Sequence, residues 1–493
     1  MRAGLLHPQE DLDLSRPLPF TWEEVEHDIG LGAVLEAMAE GDSFLEEVAR
    51  KVLAQGLALD PAAILYRQGS VKEALAQPEL VENLYRLPHK TLEVKRRESW
   101  GLFRRDRPDL YGGIKAMEAL LRGLKELLGL LHASPGDGRF FSPGFSELSA
   151  RLAQHLTPRF FQEAEAHLQA LRFPRGVWMA ARLGPEGRGQ DYVLLNPSPP
   201  RRRWPLGRGP KAFTLTLHPR DESGARILGE IREHGVYAAA WALAAAVEEV
   251  TRFFEALRAE VGFLLGTVRL FRRLQSLGLS LAFPFPSRGT RLAFRNLYDV
   301  GLALRQGHAV GNDLEAHGRN PILITGANRG GKTTFLRSLG LAQLMMQAGL
   351  FVGGEAFESG VVDGLFTHFK REEDPALEAG KLEEELKQLS RLLDRLTPAP
   401  LFLFNESFAA TSEPEGSELG VGVIRALVER GVRVVFVTHF YTLAAAFMGD
   451  PKAFFLRAER LPDGRRTYRL QPAPPEPTAY GQDLLRQIFG QGT

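Results

Sequence analysis

Apolar residues in the first part of the chain recur at helical spacing. Leu31, Val34, Leu35 and Met38 form one stripe, and Phe44, Val48 and Val52 form another. Helix is expected from the start to about residue 130. Asp60-Pro61 marks a helix start, because proline is preorganised for the first helical position and lacks only an N–H that has no intrahelical partner there. Residues 134–138 read Ser-Pro-Gly-Asp-Gly, a loop. The helical pattern resumes from Gly144 and runs, with a break near Pro158, to about Leu171.

Between Phe173 and His218 the pattern changes. Residues 177–181, 192–195 and 212–217 predict short strands, separated by glycine- and proline-rich turns. Helix returns from about Ser223 to Leu277, as one or two long helices, and residues 283–289 read as an extended linker. From about Leu292 strands and helices alternate, the signature of a sheet flanked by helices. The apolar runs 322–324, 401–404 and 432–437 predict buried strands. A proline-rich break at 472–477 precedes a short helix at 482–489. The expected organisation is thus 1–172 helical core, 173–220 small β insertion, 221–290 long helices, 291–470 α/β domain and 471–493 tail.

At 493 residues, roughly two to four domains are expected. With 61 basic against 60 acidic residues, any nucleic-acid surface must be local. Cysteine is absent, which excludes disulfides, thiolate metal sites and a cysteine nucleophile, and fits a cytoplasmic protein. The first residues carry no long apolar segment, so no signal peptide is expected. The longest apolar run, near residues 237–246, is too short to cross a bilayer.

Chemistry concentrates at residues 324–334, Ile-Thr-Gly-Ala-Asn-Arg-Gly-Gly-Lys-Thr-Thr. This is G-x-x-x-x-G-K-T between an apolar strand and a helix, the context a phosphate-binding loop requires. Gly326, Gly330 and Gly331 let the backbone approach a phosphate and aim N–H groups at it, with Asn328 and Thr334 in the same loop. The helix start adds positive partial charge. Lys332 is expected to reach the terminal phosphates and the Thr333 hydroxyl to ligate Mg2+. The competing reading is a glycine-rich turn that binds nothing. Asn405-Glu406 ends an apolar strand, and Glu406 is the candidate general base that polarises the attacking water. His439, after Thr438 at the end of another strand, is placed to sense the γ-phosphate or orient that water.

These residues resemble the MutS mismatch-repair family. The loop is similar to the family's T-G-P-N-M-G-G-K-S-T, and Gly311-Asn312-Asp313-Leu314 resembles its preceding P-N-D element. Residues 349–352 and 360–367 resemble its G-x-F-V and G-x-x-D-x-I-F-T stretches. Asn405-Glu406 with Thr411, Ser412 and Gly416 resembles D-E-x-G-x-G-T-S-x-x-x-G. Thr438-His439 resembles the T-H switch, and Tyr480-Gly481 a terminal Y-G. More faintly, Arg67-Gln68 followed by Val71 resembles R-Q-x-x-V of the family's helical core. No counterpart of the N-terminal mismatch-reading and connector domains is recognised.

The resemblance implies an α/β P-loop ATPase domain of ABC type at 291–470, preceded by a helical core with lever helices and a small β insertion at the clamp position. It implies ATP and Mg2+ as cofactors, with Thr333, Asn405 and Glu406 around the metal. It also implies a homodimer through the ATPase domains, with Gly380 and Lys381 at a helix start facing the partner's γ-phosphate. The family's metal-associated Asp is Asn405 here, a weaker ligand, so slow hydrolysis with intact binding is expected. The implied partner is mismatched, branched or otherwise distorted duplex DNA. Arg201, Arg202, Arg203, Trp204, Arg208 and Lys211 are the candidate contacts, since cations with an aromatic can grip phosphates with stacking support. A second basic cluster is Lys95, Arg96, Arg97, Trp100, Arg104, Arg105 and Arg107, which also reads as a solvated face. Two alternatives stand beside the DNA clamp: a nucleotide-gated protein scaffold with little ATPase activity, and an ABC-type ATPase outside DNA metabolism.

Overall fold

The computed structural model describes residues 1–98, 103–104, 107–132, 140–174, 176–185, 189–195, 214, 216–370, 380–461 and 465–477. The first elements are α1 (Trp22–Asp28), α2 (Gly32–Ala39), α3 (Ser43–Gly56), α4 (Pro61–Ala76), α5 (Pro78–Glu98), β1 (Phe103–Arg104), β2 (Arg107–Pro108) and α6 (Leu110–His132). Then come α7 (Pro143–His155), α8 (Pro158–Leu171), β3 (Met179–Leu183), β4 (Gly189–Leu194) and α9 (Glu222–Ser276). Next are β5 (Leu281–Ala282), β6 (Phe285–Ser287), β7 (Leu292–Leu297), α10 (Val300–Gln306), β8 (Asn312–Glu315), β9 (Ile322–Thr325) and α11 (Lys332–Gln347). The last are β10 (Val352–Gly353), β11 (Ala356–Gly360), β12 (Leu365–Phe369), α12 (Lys381–Leu393), β13 (Leu401–Asn405), α13 (Glu413–Glu429), β14 (Arg433–Val437), α14 (Tyr441–Ala445), β15 (Phe454–Arg460) and β16 (Arg466–Pro472).

Several boundaries have local causes. Asp60 caps α4, its carboxylate accepting the Ala63 N–H at 2.8 Å, with Pro61 at the first helical position. Thr157 caps α8 in the same way, its hydroxyl accepting the Phe160 N–H, so the break near Pro158 separates two helices. Residues 222–276 form one continuous helix, which settles the choice between one helix and two.

Contacts divide the chain into two compact units that do not follow chain order. The first comprises 1–3, 83–138 and 149–258, and the second 4–82, 139–148 and 259–493. The first unit is helical, with a core that includes Ile114, Leu120, Leu124, Leu127 and Phe254. Gly123 lets α6 approach its neighbours, since a Cβ there would lie 2.5 Å from the Thr91 side chain and 3.0 Å from the Phe254 ring. β3 and β4 form an antiparallel pair, with strand from 179 where the sequence predicted it from 177. Thr214, Thr216 and Leu217 carry no strand; the rest of the third predicted strand lies outside the described residues.

The second unit is built on a six-stranded sheet in the order β12-β13-β14-β9-β15-β16. All its neighbours are parallel except β16, which runs antiparallel to β15. Parallel strands covered on both faces read as continuous apolar runs, and Leu401–Phe404 and Val434–Val437 are fully buried. One face carries an aromatic layer: Phe404 lies 4.1 Å from Phe402 and 5.0 Å from Phe436 between ring centroids. Leu389 and Leu392 of α12, Ile424 and Leu427 of α13 and Leu443 of α14 cover it. A four-stranded sheet, β6-β11-β7-β8, stands beside this core. Its edge corrects one expectation, because residues 285–287, read as linker, form β6 and pair parallel with β11. Pro286 lacks an N–H, which only an edge strand tolerates, and alternating prolines hide such a strand in the sequence. Among the described residues no helix is long and apolar enough to cross a membrane.

Candidate nucleotide site

The parallel strands β9, β12, β13 and β14 all point their C-terminal ends the same way, so the residues just past each strand meet at one sheet edge. Open α/β sheets bind ligands outside those ends. The register is close: Asn405 pairs with Val437, Val437 with Ile324, and Phe369 with Asn405. Residues distant in sequence are thereby placed around the loop at the end of β9.

That loop turns on left-handed backbone. Gly326 has φ 107°, Arg329 58° and Gly331 90°. A Cβ on Gly326 would sit 2.8 Å from the Ala458 nitrogen, and one on Gly331 would sit 3.0 Å from the Tyr468 carbonyl oxygen. β15 and β16 therefore crowd the loop and demand glycine. The Gly330 N–H donates to Ala327 O at 3.2 Å, and Asn328 is exposed at the loop tip. Gly331 is the N-cap of α11 and supplies no side-chain cap, so the helix presents its first N–H groups uncapped by a side chain, as an anion site requires.

Lys332 is buried at the first position of α11. Its Nζ donates to Gly326 O at 2.9 Å and Ala327 O at 3.2 Å. Burial pushes its pKa below the ordinary lysine value; the charge of Glu406 opposes that and the charge of Arg466 adds to it. The Thr333 hydroxyl donates to Asn405 Oδ1 at 3.0 Å, so two of the three expected metal residues touch. Glu406 comes directly after with φ 54°, and its N–H donates to Val437 O at 2.9 Å. Thr334 lies in the same first turn of α11, partly buried.

His439 leaves the end of β14 with an exposed side chain backed edge-on by Phe440, centroids 4.5 Å apart. Desolvation on the backed side lowers its pKa first. Glu406 and Glu413 pull it up, while Lys332 and Lys370 push it down. The net effect holds the ring below the ordinary histidine pKa. Lys332 and His439 both feel the charge of Glu406.

The remaining expected residues are placed less tightly. Gly380 is the exposed N-cap of α12 and Lys381 its first residue. Arg201, Arg202, Arg203, Trp204, Arg208 and Lys211 lie outside the described residues, as do Trp100, Arg105 and Tyr480-Gly481. Lys95, Arg96 and Arg97 occupy the last turn of α5, where Arg97 pairs with Glu93 at 3.5 Å.

Sequence reasoning missed Lys370 and Arg466. The Lys370 N–H donates to Asn405 O at 2.9 Å, which puts this cation at the end of β12 beside the site. Arg466 opens β16, the strand that also receives Asn312: Oδ1 accepts the Leu470 N–H at 2.7 Å. The position of Lys370 just past an apolar strand was the available signal; nothing local marks Arg466.

The sequence matches two family profiles. The MutS2 N-terminal domain matches residues 59–277, and MutS domain V, a P-loop ATPase domain, matches 322–459. The DNA mismatch repair protein MutS of Thermus aquaticus is 30% identical over 239 residues, covering 48% of this chain and 29% of that protein. The DNA mismatch repair protein MutS of Chloroflexus aurantiacus is 30% identical over 206 residues, 37% of this chain and 21% of that protein. The Endonuclease MutS2 of Thermus thermophilus is 32% identical over 186 residues, 38% of this chain and 24% of that protein. Each match spans less than a third of the relative's length. With the phosphate loop, the strand-end residues and both profiles in agreement, the chain belongs to the MutS family.

Proposed function

We propose that this chain binds and slowly hydrolyses ATP with Mg2+, and that the nucleotide state controls its grip on mismatched, branched or otherwise distorted duplex DNA. The observation that carries this reading is the convergence of Gly326–Thr333, Asn405-Glu406 and His439 at one sheet edge. The N–H groups of the loop and Lys332 bind the phosphates, after Lys332 Nζ exchanges its two carbonyl partners for phosphate oxygens. Glu406 orients and deprotonates the attacking water, and neutral His439 hydrogen-bonds it or the γ-phosphate.

The residues fit Mg2+. A threonine hydroxyl in contact with an amide oxygen, with a carboxylate next in sequence, offers the hard oxygen donors this ion takes. Among the described residues no group of three His, Cys, Asp or Glu is gathered to hold a metal. Thr333, Asn405 and Glu406 would hold Mg2+ together with phosphate and water oxygens. Bound there, the ion supplies charge neutralisation on the transferring phosphoryl group.

Pairing of two copies through the ATPase domains would bring Gly380 and Lys381 of each to the other's nucleotide, and Arg201, Arg202, Arg203, Trp204, Arg208 and Lys211 would contact DNA. The whole would act in the cytoplasm. The second reading, a nucleotide-gated protein scaffold with little ATPase activity, is favoured by one observation: a neutral amide, Asn405, stands where Thr333 meets the strand end. Gel shifts with branched, mismatched and plain duplex DNA at low salt, with and without ATP, separate the two. ATP-dependent retention of a distorted duplex supports the clamp, and no retention of any form removes it.

A further inference from the structure

The residue after the candidate base is buried and doubly bonded. Ser407 is 1% exposed, and its hydroxyl donates to the His368 carbonyl oxygen at 2.8 Å. With that proton committed, its Oγ faces His368 Nδ1 at 2.6 Å as an acceptor. His368 is itself 1% exposed, and a neutral ring with its proton on Nδ1 has no N–H left for the Glu385 carbonyl oxygen, which stands 3.3 Å from Nε2. The Glu385 carboxylate accepts the Phe408 N–H at 3.1 Å. Three elements therefore converge on one turn: the end of β12, the early part of α12 and residues 406–408.

The turn needs such restraint. Glu406 and Phe408 have φ 54° and 65°, the left-handed region that side chains other than glycine rarely adopt. Left-handed residues persist where the surroundings over-determine them. Here the middle residue is pinned by His368, the second left-handed residue by Glu385, and the first by its N–H to Val437 O. We propose that His368, Ser407 and Glu385 are positioning residues that fix the turn carrying Glu406 and tie it to α12. The proposal rests on the reading of Glu406 as the base. Glu385 lies five residues after Gly380, so a shift of that helix start reaches Glu406 through the same bonds. None of the three is assigned to touch nucleotide, so their removal acts on the rate and leaves the phosphate cradle in place.

The test uses the full chain, with single-turnover ATP hydrolysis under excess protein and calorimetric titration of ATP with Mg2+. Ser407→Ala is expected to lower the rate about tenfold or more while the affinity stays within about twofold, the split that marks loss of an interaction needed only for reaction. His368→Asn, whose amide N–H can replace Nδ1–H, is expected to keep most of the rate. Combining His368→Leu with Ser407→Ala removes both side chains of the Nδ1–Oγ bond, so thermal stability should recover part of the way toward the parent while the rate stays low. Unchanged rates in Ser407→Ala, or a rate that recovers together with stability in the double variant, overturns the positioning role alone. A parent chain that gives no heat with ATP overturns the nucleotide reading and the positioning role with it, and the calorimeter alone distinguishes that case.

Discussion

Glu406 and Asn405 adjoin, yet their chemistry sets them opposite tasks. Glu406 is required for turnover and not for binding, so Glu406→Gln should lower hydrolysis by about 100-fold or more with ATP affinity retained. Equal rates would remove it from the role of base. Asn405 touches the Thr333 hydroxyl at 3.0 Å through a neutral oxygen. Asn405→Asp adds a charge there and should raise turnover at limiting Mg2+ by about tenfold. A magnesium dependence identical to the parent's would place the ion elsewhere. Away from the site, Glu260 is fully buried on α9 and accepts N–H groups from Leu5, Leu6 and Leu12 at 2.6, 3.3 and 3.0 Å. Burial, helped by Asp11, still pushes its pKa from the ordinary 4.5 up to about 7. The folded state then holds this proton more tightly than the unfolded chain. Its stabilising contribution is full below about 4.5 and is lost as pH rises through about 7. Stability of the parent relative to Glu260→Gln, from urea unfolding, should thus fall by up to about 3 kcal/mol between pH 4.5 and 8. A constant gap would contradict the shift.

At the scale of elements, the join of β9 to α11 is the part most exposed to a backbone test. Gly331 is left-handed and faces the Tyr468 carbonyl oxygen. Alanine there should destabilise the chain by about 1–2 kcal/mol and weaken ATP binding, read by thermal melting and titration. No change in either would mean the loop has other conformations open to it. This loop was legible in the sequence because its chemistry is local: strand, glycines, lysine and threonine are consecutive. So were β13 and β14, since buried parallel strands leave unbroken apolar runs. β6 was not, because Pro284 and Pro286 signal a linker and only the tertiary edge makes strand admissible. The His368–Ser407 bond was invisible for a different reason. Its partners stand 39 positions apart, and only the register of β12 on β13 brings them together.

Over the whole molecule, chain order and compactness diverge. Residues 4–82 group with the C-terminal 259–493, not with the helices immediately after them in the chain. Within that second unit, Arg67 of α4 lays its stem against Gly349, just past the end of α11, where a Cβ would lie 2.9 Å away. Arg67 also donates to Leu6 O at 3.1 Å. The helix that begins at the phosphate loop is thus seated, at its far end, on the N-terminal helices. Sequence reading found the Arg67-Gln68 pair by resemblance, without a physical role for it; burial and the close contact with Gly349 supply that role. The central claim is that Lys332 and its loop hold a triphosphate. Calorimetric titration of the full chain with ATP and Mg2+, beside Lys332→Ala, addresses it most directly. Saturable heat from the parent, and affinity at least about 100-fold weaker (about 2.8 kcal/mol) in the variant, is the result expected. No heat from the parent, or equal affinity in both, would contradict the account.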